Sequence, residues 1–320
     1  MKLRPSLSAA GIAPLLLVCA LSCVMVGSCE KSSGGSEFMP IPSGVAQDGD
    51  PEWSPDGTTI VYEHVHVVFI DGVLTPIQES TGFWFISPDG SNNRMLQSYQ
   101  GFTHMDWSPD GQWFLFGLNC EIWKMRATGD SLTLVLSDST GRNYRPTWSP
   151  DGRRIAFDRF QEDGKTGIYT MAANGTDLRY LGYGAEPDWA PDGKHIVCAG
   201  INSIEIMDTS GNSRETLLTL TTYTDLGTLA YSPDGSKLAF VGVVNKVRGV
   251  FAVDIAGRNI KLLDKGGCLP SWSPDGKRIV FVNTAQVWMP SLGKHEPGQF
   301  LYIINADGTR RRQLTFIPGQ

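Results

Sequence analysis

Beyond residue 40 the chain has no long stretch with the 3.6-residue apolar period of an amphipathic helix, which excludes helical bundles and α/β architectures with crossover helices. It also lacks a basic excess: 27 Lys and Arg stand against 33 Asp and Glu, for a net charge of −6. The basic clusters Arg153-Arg154 and Arg310-Arg311-Arg312 sit where strands are expected to begin or pair, so no nucleic-acid partner is expected. Catalytic signatures are missing too. There is no G-x-S-x-G elbow, no H-E-x-x-H and no P-loop, which removes the usual grounds for a serine hydrolase, a zincin or a P-loop NTPase. Histidines number five. His64 and His66 share one face of a strand, but no third ligand stands at a zinc-site spacing, so neither metal nor cofactor is expected. Three of the six cysteines precede residue 30. Cys120, Cys198 and Cys268 fall in non-adjacent repeats, too far apart for a disulfide, and Cys198 fills a slot that holds Phe elsewhere, as a buried apolar thiol would.

What is present is apolar surface and turns. The chain is 41% hydrophobic and 10% aromatic, with 36 Gly and 19 Pro: ample for a core and rich in chain reversals, as in an all-β protein.

Residues 1–28 have the layout of a secretory leader: basic Lys2 and Arg4, then the apolar run AAGIAPLLLVCALSCVMVG. The run ends in VGSC, which resembles the lipobox of bacterial lipoproteins and implies lipidation at Cys29. Residues 29–39, polar and rich in Ser and Gly, suit a flexible tether.

The body repeats one phrase six times. WSPDG occurs at 53–57, 107–111, 148–152 and 272–276, WAPDG at 189–193 and YSPDG at 231–235. The aromatics are 54, 41, 41, 42 and 41 residues apart, the period of propeller blades. Proline presets φ at the first turn position, Asp suits the second, and Gly accepts the left-handed conformation of a bulged hairpin. Alternating strands follow (TIVYE, WFLFG, RIAFD, HIVCA, KLAFV, RIVFV), and a second set of turn glycines stands at 90, 129, 175, 211, 257 and 308. The expected fold over residues 40–320 is therefore a six-bladed β-propeller of four-stranded antiparallel blades, with the repeat aromatics packed between blades and the turn aspartates capping their own turns.

The pattern, best seen in RPTWSPDGRRIAFD…GIYTMAANGTDLRYL and LPSWSPDGKRIVFV…FLYIINADGTRRRQLT, resembles the propeller repeat of the TolB family. The short stretch between Cys29 and the first repeat has no room for the α/β domain that precedes the propeller in TolB. The resemblance implies a non-catalytic binding or scaffold role toward another envelope protein, in an exported chain held by its lipid to a bacterial envelope membrane and facing the periplasm. The alternative is an envelope enzyme or binder acting on a glycan or uronate ligand at the channel mouth.

Candidate site residues come from places where the repeats differ. The two turn glycines are 33, 18, 23, 18, 22 and 32 residues apart in successive repeats, so repeats 1 and 6 carry long insertions (63–82 and 283–299). Ring closure would set these side by side as one wall, holding Phe69, Trp288 and Met289 with His64, His66 and His295. The stretch around Trp288, with Pro290, Gly293 and Pro297, reads as an ordered loop. A second candidate is a mouth ring three residues before each repeat aromatic: Asp50, His104, Arg145, Glu186, Thr228 and Leu269.

Overall fold

The computed structural model describes residues 45–316 apart from 71–72, 99–101, 138–140, 162–163, 221–225, 257 and 290–292, with backbone alone at 69, 70, 73, 74, 102, 103 and 289. Cys29, the leader and the tether lie outside the described residues.

The repeat phrase folds as its turn chemistry dictates. In repeat 3 the strand Gly141–Trp148 runs into Ser149-Pro150-Asp151-Gly152. Gly152 N–H donates to the Ser149 carbonyl at 2.8 Å, with Gly152 at φ 68°. Asp151 Oδ1 accepts from Ser149 Oγ at 2.6 Å and from Arg153 N–H at 3.0 Å. Asp56, Asp110, Asp234 and Asp275 accept from their own turn serines in the same way. These donors hold the four carboxyls and Asp151 below the ordinary aspartate range. Repeat 4 has Ala190 in place of serine, and Asp192 instead takes Lys194 N–H and the His195 ring.

After the turn, repeat 3 continues through Arg154–Gln161, Thr166–Ala172 and Arg179–Tyr183, antiparallel throughout. Repeats 2, 3, 4 and 5 each form a separate four-stranded sheet in chain order. The second strands carry the core: Ile60, Tyr62, Phe114, Phe116, Ile155, Phe157, Ile196, Cys198, Leu238, Phe240, Ile279 and Phe281 are all fully buried. Apolar clusters lie between successive sheets, as when Val197, Ile204 and Leu217 of repeat 4 pack with Leu238, Phe240 and Phe251 of repeat 5. The sheets form a β-propeller.

Six separate blades are not what the sheets show. Four stand alone, while the strands of repeats 1 and 6 belong to a single nine-stranded sheet. The reason is the length of the repeat 6 strands Arg278–Met289 and Lys294–Asn305. The second reaches the first strand of repeat 1, Val45–Trp53, and pairs with it in parallel at Gln47 and Gln299. Buried side chains reinforce this junction. Asp48 is fully buried, takes His64 Nδ1 at 2.6 Å, and accepts the Thr315 hydroxyl from the far end of the chain. On the opposite face the turns interlock. A Cβ placed on Gly57 would lie 3.7 Å from Pro274, just as one on Gly111 would meet Pro55 and one on Gly152 would meet Pro109.

The loop expected around Trp288 is a strand. Trp288 pairs with His295 in an uninterrupted antiparallel register from Arg278–Asn305 out to Met289–Lys294. Pro297 stands in this ladder opposite Gln286, and its carbonyl accepts from Gln47 Nε2 of repeat 1 at 3.5 Å. The repeat 1 insertion likewise extends its second strand to Ile60–Ile70, followed by Val73–Pro76 and a single 3-10 turn, Gln78–Ser80.

Candidate functional site at the channel mouth

The first strand of every repeat is innermost, and each has a break in register near its middle. The bulge residue is one of the mouth ring. Asp50, His104, Arg145, Glu186, Thr228 and Leu269 have φ of 42°, 50°, 49°, 55°, 34° and 54°. A left-handed conformation in a residue with a Cβ costs roughly 1–2 kcal/mol. Non-glycine residues at equivalent places in every repeat mean that the bulge is a built-in feature of the first strand.

Five of these residues fall into two polar groups, Asp50 with His104 and Arg145 with Glu186 and Thr228, while Leu269 is apolar. Arg145 Nη1 lies 3.0 Å from Asp158 Oδ2, and its Nε lies 2.8 Å from Glu186 Oε1. Glu186 passes the link onward by accepting Thr228 N–H at 3.0 Å. Asp50 accepts His104 N–H at 3.1 Å, and its other oxygen lies 4.0 Å from the His104 ring. Burial works against the Arg145 charge, but Glu186 and Asp158 more than offset it and raise its pKa. Burial lowers the His104 pKa against the pull of Asp50 and Glu186. Burial also pushes Asp158 up to about 6, although Arg145 opposes the rise. Glu63, partly buried near Asp50 and Asp48, is pushed up to about 8, mainly by desolvation.

Deeper in the channel, one residue before each repeat aromatic, lies a second ring to which no motif or spacing drew notice. Glu52, Asp106 and Asp188 line a cavity of about 290 Å³ together with Thr147, Ala230 and Ser271. Asp106 Oδ2 accepts Trp148 N–H from the next repeat at 2.5 Å, and Asp188 Oδ2 accepts Tyr231 N–H at 2.7 Å. Burial pushes both carboxyls up to about 7 and raises Glu52, with the Asp106 charge adding to the rise. The available signal was polarity at a central-strand position where a plain core would be apolar.

The wall residues make contacts of their own. His64 rests on buried Asp48 and packs 5.0 Å from the Trp84 ring. His66 Nε2 is buried with no hydrogen-bond partner among the described residues, and burial, then His64, lowers its pKa. Trp288 is 46% exposed and meets His295 edge-on at 5.1 Å. Phe69 and Met289 lie on the same two extended hairpins, with side chains outside the described set. The structure therefore joins Asp50 to His104 and Arg145 to Glu186, and it joins repeats 1 and 6 along one sheet. Trp288 meets the His295 ring, while His64 packs on Trp84 and His66. Among the described residues no cluster of three or more His, Cys, Asp or Glu is arranged to hold a metal ion.

The fold is thus that of the β-propellers, built around a polar central channel. Solved TolB structures share it: TolB of Acinetobacter baumannii superposes with a TM-score of 0.62 at 19% identity, over 79% of this chain and 62% of that one. A protein assigned as TolB from Agrobacterium tumefaciens gives 0.56 at 22% identity, over 67% of this chain and 80% of that one. In sequence, an uncharacterized protein of Agrobacterium fabrum is 26% identical over 231 residues, 62% of this chain and 75% of that protein. No family profile matches the chain.

Proposed function

We propose that this protein is a non-catalytic binding lipoprotein of the bacterial cell envelope, a TolB-like propeller of six blades that engages another envelope protein at the channel mouth. In this reading the nine-stranded sheet is two four-stranded blades joined at ring closure. Cys29 carries the lipid that anchors the propeller to an envelope membrane, on the periplasmic side. The observation that carries the reading is the left-handed ring at Asp50, His104, Arg145, Glu186, Thr228 and Leu269. Strain repeated around one opening supports a site that presents groups to a partner. The carboxylates there and below are engaged with backbone N–H groups and Arg145, an arrangement that holds the shape of the opening. Half-exposed Trp288 on the extended repeat 6 hairpin adds an aromatic anchor of the kind that dominates interfaces.

A photo-crosslinking amino acid at Trp288 or Thr228, compared with one at Asp192 on the opposite face, tests this in cells. One discrete envelope protein captured from both Trp288 and Thr228, and not from Asp192, is expected. Capture from Asp192 alone would reverse the assigned face. Separately, Cys29→Ser should move the protein from the membrane fraction to the soluble fraction. Unchanged membrane association would remove the lipid from the reading.

A further inference from the structure

Blade 3 departs from its neighbours beside the mouth. Its second strand, Arg154–Gln161, carries an aromatic two residues beyond Asp158, Phe160, which is 42% exposed. The equivalent positions twelve residues after the repeat aromatic are Val65, Asn119, Ile201, Val243 and Thr284. Register sets its neighbours on the same face. Arg142 pairs with Phe160 from one side and Thr166 from the other, while Tyr144 pairs with Asp158 two residues along. Alternation sends Asn143 and Arg159 to the opposite face, where Asn143 accepts from Arg159 Nε and is held by the Cys120 carbonyl of repeat 2.

The face toward repeat 4 borders an open cleft of about 300 Å³, lined by Arg142, Tyr144, Arg145, Asp158, Phe160, Thr166 and Ala185. Three features define what could fill it. Arg142 is exposed and has no ion-pair partner among the described residues, so it supplies an unspent cation at the entrance. Asp158 is 1% exposed, and its Oδ2 serves Arg145 and the Glu186 N–H. Its Oδ1 is buried and accepts no hydrogen bond among the described residues, which is costly unless a donor arrives. Between the two, Phe160 offers an apolar ring face.

The geometry points to a binding site for a small hydroxylated carboxylate of the sugar-acid class, with its carboxylate on Arg142, a hydroxyl donating to Asp158 and a C–H face against Phe160. A carboxylate alone cannot donate to Asp158. A neutral sugar leaves Arg142 unanswered. The volume lies at the small end of ligand cavities, which suits one ring rather than a chain. The site shares Arg145 and Asp158 with the mouth, but it does not rest on the partner-binding reading.

Isothermal titration with D-glucuronate, D-glucose and N-acetyl-L-alanine tests the assignment on the whole folded protein. Glucuronate should bind in the roughly millimolar range or tighter, and glucose at least about tenfold more weakly. Arg142→Ala and Phe160→Ala should each weaken glucuronate by about tenfold or more without changing the thermal melt, since both side chains are largely on the surface. No saturable heat with glucuronate, equal binding by glucose, or wild-type affinity in Arg142→Ala would each overturn the site. N-acetyl-L-alanine binding as tightly as glucuronate would overturn the sugar-acid class in favour of a peptide terminus. Trp288→Ala should leave glucuronate binding unchanged, so a failure here remains distinct from a failure of partner capture.

Discussion

Gly152 sits at φ 68° in a turn whose every hydrogen bond is local. A Cβ there would meet Pro109 only at 3.7 Å, an ordinary contact, so the cost of a side chain is backbone strain. Gly152→Val should lower stability by about 1–3 kcal/mol, read as a lower urea midpoint. An unchanged midpoint would mean the turn can adopt another form. Asp106 and Asp188 make a different residue-scale prediction. Each has a folded pKa of about 7 against an ordinary 3.8. Between those values the folded state binds more protons than the unfolded one, so stability should fall as pH rises from about 4 to about 7. The double variant Asp106→Asn, Asp188→Asn keeps the acceptors for Trp148 and Tyr231 N–H but cannot titrate. Its urea midpoint should vary less across that window than the wild type's. An equal slope would locate the titrating groups elsewhere.

At the scale of elements, the hairpin of Arg278–Met289 and Lys294–Asn305 is the feature that departs most from the repeat. Pro290, Gly293 and Pro297 suggest a loop because they are turn and breaker residues. The hairpin persists because Val287 is buried while Trp288 points outward, so one face of the extension still has a core to pack on. Trp288→Ala should therefore leave the melting temperature nearly unchanged. If Trp288 anchors the partner, affinity should drop by roughly thirtyfold, about 2 kcal/mol. Equal affinities for wild type and variant would take the anchor off this hairpin. Asp192→Asn, in the turn of repeat 4 on the other face, should bind as the wild type does.

For the whole molecule the decisive feature is how the ring closes. Repeats 2 to 5 are complete in themselves, and their strands could be assigned from local alternation. The junction depends on groups from both ends: Gln47 with Gln299, and Asp48 with His64 and Thr315. Thr315→Val removes a hydroxyl donor from a fully buried carboxylate and a hydroxyl acceptor from Leu301 N–H. It should cost about 1–3 kcal/mol, seen as a lower melting temperature with a single transition. No shift in melting would mean the junction is held by strand pairing alone.

By itself the sequence determined the repeat, its turns and the alternating core, because each of these is specified within a few residues: Pro and Gly by backbone sterics, Asp by its own turn, the apolar positions by the two-residue period of a strand. It also singled out the position three residues before each repeat aromatic, since a constant offset is visible as spacing. Only the tertiary structure decided which groups meet. Asp48 and Thr315 are 267 residues apart, and nothing in either neighbourhood predicts the other. The inner ring of Glu52, Asp106 and Asp188, the open oxygen of Asp158 and the merging of repeats 1 and 6 into one sheet arise from the same cause. They depend on the distance between strands of different repeats, which ring closure sets and local sequence does not encode.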